Sequence, residues 1–100
     1  MQDLNELIEE IKRQKDYYSK EKARLKAEMA KYPIGSIQER TVKGNTYYYL
    51  QYRERGKIKQ DYLGTEVDLS FRKQIEARQK IQVKLKPINK KLKILSHFKV

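Results

Sequence analysis

One hundred residues, 37% of them charged and carrying a formal net charge of +11, allow one small domain with a limited core. The chain has no cysteine, which excludes disulfides, cysteine-based zinc sites and a thiol nucleophile. No apolar run reaches membrane-spanning length, and the opening MQDLNELIEEIKRQ is too acidic and polar for a secretory signal, so the sequence predicts a soluble cytoplasmic protein.

The predicted architecture is α+β in a single domain: a long helix within residues 1–32, a three-stranded antiparallel sheet over 34–64, and a basic helix over 68–96. From Asp3 to about Lys31 there is no Gly or Pro, and Glu, Lys, Arg, Leu and Ala dominate, all good helix formers. Asp3 is placed to cap the helix, with Glu6 three positions on as its capping-box partner. Leu4, Ile8, Ile11, Tyr18, Leu25, Met29 and Tyr32 recur at steps of four and three, interrupted by Lys15 and Lys22, which is the spacing of a coiled-coil seam. At 1.5 Å per residue such a helix extends about 40 Å, whereas strands of about seven residues reach roughly 23 Å. Part of the stripe must therefore meet water, the last helix or another chain. The two lysines weaken a long parallel dimer and favour packing against the last helix. Pro33 and Gly35 end the helix.

The sheet is predicted from Ile34–Val42, Thr46–Arg53 and Lys57–Leu63, with turns at Lys43-Gly44-Asn45 and Glu54-Arg55-Gly56. Tyr, Thr, Ile and Val favour strands, and Gly at each turn supplies positive φ. A three-residue second turn pairs Tyr52 with Ile58 and Tyr48 with Tyr62. Strand alternation then puts Tyr48, Leu50, Tyr52, Ile58, Tyr62 and Ile37 on one face. Tyr47, Tyr49, Gln51, Arg53, Lys57 and Lys59 take the other, joined by Gln38 and Arg40 if the first turn uses Gly44-Asn45 alone. A one-residue slip in that first hairpin would reverse the contribution of its outer strand.

Asp68 is placed to cap the last helix, along which Phe71, Ile75, Ile81, Leu85, Ile88, Leu92 and Leu95 recur at roughly helical spacing. Pro87 lacks an N–H and predicts a kink or a break near Lys86.

Charge is spread unevenly over these segments. Residues 1–30 hold seven basic and seven acidic side chains, residues 31–76 nine and six, and residues 77–100 eight basic and none acidic. Such an uneven field points to an anionic partner, nucleic acid first, with an acidic protein surface or an anionic membrane after it. Enzyme chemistry finds little support. His97 is the single histidine, the carboxylates show no paired or metal-ligand spacing, and there is no glycine-rich phosphate loop. No catalytic residue, metal or cofactor is expected.

Arginine and lysine neutralise phosphates and release counterions. Arginine also forks onto guanine, a β-ribbon is thin enough for the major groove, and Tyr47 and Tyr49 offer rings to unpaired bases. The candidate contacts are Arg40, Tyr47, Tyr49, Gln51, Arg53, Arg55, Lys57 and Lys59 on the sheet, with Lys84, Lys86, Lys90, Lys91 and Lys93 on the last helix. Should the tyrosines be buried on both faces, the basic turn Arg53–Lys59 and the lysine-rich helix remain available.

The stretch KGNTYYYLQYRERGKIKQDYLG resembles the amino-terminal hairpin segment of some insertion-sequence transposases, in which Lys-Gly-x-x-Tyr-Tyr-Tyr leads to a Gly-Lys turn and Tyr-Leu-Gly. Three strands followed by a helix also resemble the arm-type DNA-binding domain of conjugative-transposon and phage tyrosine integrases. A further similarity is to small uncharacterised bacterial proteins with a Gly-Ser-Ile/Leu start before such a hairpin. In some of those, cysteines sit in the first turn; here Lys43, Gly44 and Asn45 occupy it, so metal binding is not implied. The resemblance covers about thirty residues. It implies DNA binding in a bacterial or phage mobile-element setting, without recombinase activity, and makes Arg40, Tyr49, Gln51, Arg53 and Lys59 the contact positions. Glu39 adjoins Arg40 and Asp61 lies two residues from Lys59, so acidic side chains neighbour these positions.

The functional expectation is a non-enzymatic nucleic-acid-binding accessory or regulatory protein, DNA ahead of RNA. The alternative is a protein-interaction module, in which the stripe of the first helix serves a homodimer, a coiled-coil adaptor, or an inhibitor or antitoxin gripping an acidic protein.

Overall fold

A computed structural model describes residues 3–100, and its element order is the expected α+β one: α1 (Leu4–Met29), β1 (Ser36–Val42), β2 (Asn45–Glu54), β3 (Lys57–Gly64) and α2 (Leu69–Leu95). The chain forms two compact units. One consists of residues Lys31–Gln79; the other is built from α1 and residues Lys80–Val100, so α2 contributes to both.

Both helices start where a side-chain acceptor meets an unsatisfied first-turn amide. Asp3 accepts from the Glu6 N–H at 2.8 Å, and Asp68 accepts from the Phe71 N–H at 3.2 Å. Asp68→Ala is expected to lower stability by about 1 kcal/mol, read as a shifted denaturant midpoint; an unchanged midpoint would mean that water replaces the cap without cost.

In the unit containing α1, the stripe read from the sequence is the less exposed face. Leu25 is buried, while Ile8, Ile11, Lys15, Tyr18, Lys22 and Met29 are half-buried. Its partner is the same chain. The Lys15 ammonium donates to the Phe98 carbonyl, and Lys91 donates to the Tyr18 hydroxyl at 3.0 Å while lying 4.8 Å from that ring's centroid. Positions ascend on α1 as their partners descend, so the two segments run antiparallel. Ile81, Leu85 and Leu95 are buried in the same unit. The two seam lysines thus sit half-buried on the inward face, and the ammonium of Lys15 finds a carbonyl. Leu4 and Leu7, at the start of the stripe, remain exposed.

Of the two outcomes expected at Pro87, interruption does not occur: α2 runs from Leu69 to Leu95 with Pro87 inside it. Proline has no N–H to give to the Val83 carbonyl, but Pro87 and Val83 are both exposed. Water can serve that carbonyl, while buried Leu85 on the opposite side holds the helix in place.

In the sheet unit, β1, β2 and β3 form an antiparallel meander in the order β1-β2-β3. Both hairpins close on two residues. Val42 pairs with Asn45 around Lys43-Gly44, and Glu54 pairs with Lys57 around Arg55-Gly56. All four turn residues have positive φ: 51° and 81° in the first, 51° and 79° in the second. That is the type I′ geometry, whose twist matches that of the strands it joins. Lys43 and Arg55 therefore adopt a left-handed backbone disfavoured for residues with a Cβ. Each is followed by the glycine that makes the turn affordable.

This turn choice corrects the sequence reading of the second hairpin. With two loop residues in place of three, Tyr52 pairs with Lys59 and Arg53 with Ile58, and, beyond the register shift at Tyr48/Tyr49, Tyr62 lies opposite Tyr49 rather than Tyr48. A one-residue change of register turns every side chain of a strand over. Ile58 and Tyr62 therefore leave the Tyr48 face, and Lys57 and Lys59 join it. The first hairpin turns on Lys43-Gly44, one residue earlier than the Gly44-Asn45 form, and Arg40 opposite Tyr47 and Gln38 opposite Tyr49 keep the parity expected of that form and not that of the three-residue turn.

No sheet residue is fully buried. The Tyr48 face carries Tyr48, Leu50, Tyr52 and Ile37, all half-buried, and the Arg72 guanidinium of α2 lies 5.7 Å from the Tyr48 ring centroid. Ile75, one turn further along α2 and only 2% exposed, is the most deeply buried side chain of this unit. Arg78 donates to the Tyr32 carbonyl at 2.9 Å, tying α2 to the segment that enters β1.

Candidate nucleic-acid interface

The opposite face of the sheet is defined by alternation about the observed register. It carries Ser36, Gln38, Arg40 and Val42 from β1, Asn45, Tyr47, Tyr49, Gln51 and Arg53 from β2, and Ile58, Gln60 and Tyr62 from β3. The three carboxylates of the sheet strands, Glu39, Glu54 and Asp61, all project from the Tyr48 side. There Asp61 accepts from the Tyr52 hydroxyl at 3.3 Å, and Glu54 pairs with Lys59 at 3.0 Å. Partial loss of solvation, and then the bond to Asp61, hold the Tyr52 phenol above its ordinary pKa. The Tyr49 face is thus left with two guanidiniums, four carboxamides, three phenols and no acid.

Its side chains are organised by one another. The Arg40 Nη2 donates to Gln60 Oε1 at 2.7 Å, and Gln60 Nε2 donates to Gln51 Oε1 at 2.9 Å, a relay that links all three strands. Gln38 Nε2 donates to Ser36 Oγ at 2.9 Å. The Arg40 guanidinium also lies 5.0 Å from the Tyr49 ring centroid, within cation–π range. Tyr49 and Tyr62 have ring centroids 5.4 Å apart at 53°, and Tyr47 and Tyr62 6.4 Å apart at 48°. The rings lean on each other instead of lying open as parallel platforms. Tyr62 and Ile58 are nevertheless 58% and 61% exposed, so nothing in the unit covers this face at β3.

Five of the eight sheet positions singled out in the sequence, Arg40, Tyr47, Tyr49, Gln51 and Arg53, come together on this face. Arg55 stands at the tip of the second hairpin. Lys57 and Lys59 do not join them, because the two-residue turn rotates β3, and Lys59 is held by Glu54 on the reverse side. Gln60 and Tyr62 replace them. Sequence reasoning missed both for the same reason, and an Arg-Gly pair read as a two-residue turn would have found them. Lys84, Lys86, Lys90, Lys91 and Lys93 are exposed along α2 in the other unit, Lys91 being engaged by Tyr18. A shallow groove of about 530 Å³ beside Tyr32, Leu69, Lys73 and Gln74 shares no residue with the face. Among the described residues no group of three or more His, Cys, Asp or Glu side chains gathers as a metal site. No helix among them is long and apolar enough to cross a membrane.

The chain belongs to the family described as Domain of unknown function (DUF6788), whose profile matches residues 2–77. That match takes in α1, the whole sheet and the start of α2, and stops before the lysines at 84–93. No curated protein and no solved structure matches the chain.

Proposed function

We propose that this is a non-enzymatic, cytoplasmic nucleic-acid-binding protein that uses the Tyr49 face of its sheet, with duplex DNA as its partner. The observation that carries the reading is the sorting of charge. Every carboxylate of the strands lies on the other side, so a phosphate approaching Arg40 and Arg53 meets no anion on the surface it contacts. Duplex is favoured over single strand because the tyrosine rings are tilted together and one carries a guanidinium, which leaves hydrogen-bonding edges more available than stacking faces. DNA is favoured over RNA because the deep, narrow major groove of A-form RNA does not admit a sheet. The exposed lysines of α2 supply sequence-independent attraction, and the mobile-element resemblance of the hairpin agrees with such a role. The competing interaction-module reading rested on the α1 stripe, along which Lys15 and Tyr18 bond to residues of the same chain while Leu4 and Leu7 stay exposed.

Binding of a fluorescent duplex across a salt series tests the proposal. With about four to six phosphates neutralised, log K against log salt should fall with a slope of roughly −4 to −5. Affinity independent of salt, or no binding at low salt, would overturn it.

A further inference from the structure

The relay across the sheet has a chemical polarity that its first member imposes. Arginine carries donors and no acceptor, so the Gln60 atom 2.7 Å from Arg40 must be its carbonyl oxygen. That fixes the Gln60 amide nitrogen toward Gln51, and the Gln51 atom receiving it at 2.9 Å must in turn be an oxygen. Both carboxamides, whose orientation is otherwise free to flip, are thereby locked in one sense. The hydrogens left over along the row, on Arg40, on the Gln60 amide and on both positions of the Gln51 amide, are all donors, and the only acceptor capacity that remains is the second lone pair of each amide oxygen.

Resting on the nucleic-acid reading, we propose that the Arg40–Gln60–Gln51 row is the specificity-determining element of this face and selects a pair of hydrogen-bond acceptors over a mixed donor–acceptor edge. Guanine offers such a pair in O6 and N7, and phosphate offers one in its oxygens. Adenine presents a donor beside an acceptor, and a glutamine reads it with its oxygen and nitrogen together. Here each amide oxygen is already turned toward a donor of the row and has one lone pair left, so the free hydrogens of the row outnumber its free acceptors. Gln60 is the positioning residue: without its nitrogen, Gln51 is free to turn its oxygen outward and accept adenine.

The experiment compares three duplexes of equal length and charge on the full chain: G·C-rich, A·T-rich, and the G·C-rich duplex with 7-deazaguanine in place of guanine. Wild type should bind the G·C-rich duplex about tenfold more tightly than the A·T-rich one. The 7-deaza duplex, which lacks only N7, should lose most of that advantage. Gln60→Met should bring the G·C to A·T ratio close to one, and Gln60→Thr serves the same purpose should the methionine variant melt early. If wild type shows no base preference but Gln60→Met weakens all three duplexes alike, the row's donors meet phosphate oxygens and its role in base selection is overturned. A preference for A·T, or no change in either affinity or ratio on replacing Gln60, overturns the inference while leaving the nucleic-acid reading intact. Absence of any duplex binding removes both.

Discussion

Gly35→Ala is expected to destabilise the sheet unit by about 3 kcal/mol or more, a large share of the 5–15 kcal/mol that holds a typical domain together. Gly35 sits at φ +128°, and a Cβ built there would lie 2.8 Å from both the Gln51 carbonyl oxygen and Leu50 Cδ1. The leucine tip can rotate. The carbonyl belongs to the backbone of the central strand and cannot retreat without disturbing the ladder at Ser36 and Gln51. Backbone strain of about 1–3 kcal/mol is therefore joined by an overlap with no cheap relief. Gly56→Ala supplies the control, because φ is again positive, at 79°, but nothing lies within 4 Å of the added carbon. Its cost should be about 1 kcal/mol. Equal denaturant midpoints for the two variants would show that close approach to β2 contributes nothing.

Arg40→Ala combined with Arg53→Ala is expected to weaken duplex binding by roughly 10- to 100-fold at physiological salt and to flatten the salt slope by about two. The melting temperature should scarcely change, since both side chains are exposed. Lys57→Ala combined with Lys59→Ala removes the same charge from the other side of the sheet and should weaken binding less than about threefold, by the long-range field alone. If the two double variants lose affinity equally, binding follows net charge and the face has no special role.

Both helices were legible in the sequence because their signals are redundant. Asp3 and Asp68 mark starts, the 3.6-residue periodicity marks faces, and Pro33 and Gly35 mark a stop. The meander was legible as well, since Tyr, Thr and Ile runs alternate with glycine turns. What failed was one residue of loop length. Glycine announces that a turn occurs, but whether Arg55 accepts a left-handed backbone or Glu54 joins the loop is settled by a small conformational cost set against strand twist, and composition does not record that balance. The consequence for the candidate face was large because parity amplifies it: Lys57 and Lys59 left, and Gln60 and Tyr62 arrived. The first hairpin shows the reverse case. Its turn also differed from the Gly44-Asn45 form that places Arg40 and Gln38 on this face, yet both kept their side, because the pairing moved from that form by an even step.

The assignment of α1 and residues Lys80–Val100 to one unit has a bearing on the order in which the chain assembles. The 49 residues Lys31–Gln79 form a continuous stretch whose hairpins close over two-residue turns, events that belong to the microsecond range. Bringing α1 to the second half of α2 requires closing a loop around that entire stretch, and the entropic cost of closure grows with the length of free chain enclosed. Once the meander has formed, most of that length is no longer free. The locally wired sheet therefore shortens the free chain between the flanking helical segments, and a lesion in it, at Gly35 for instance, is expected to slow the pairing of α1 with residues Lys80–Val100.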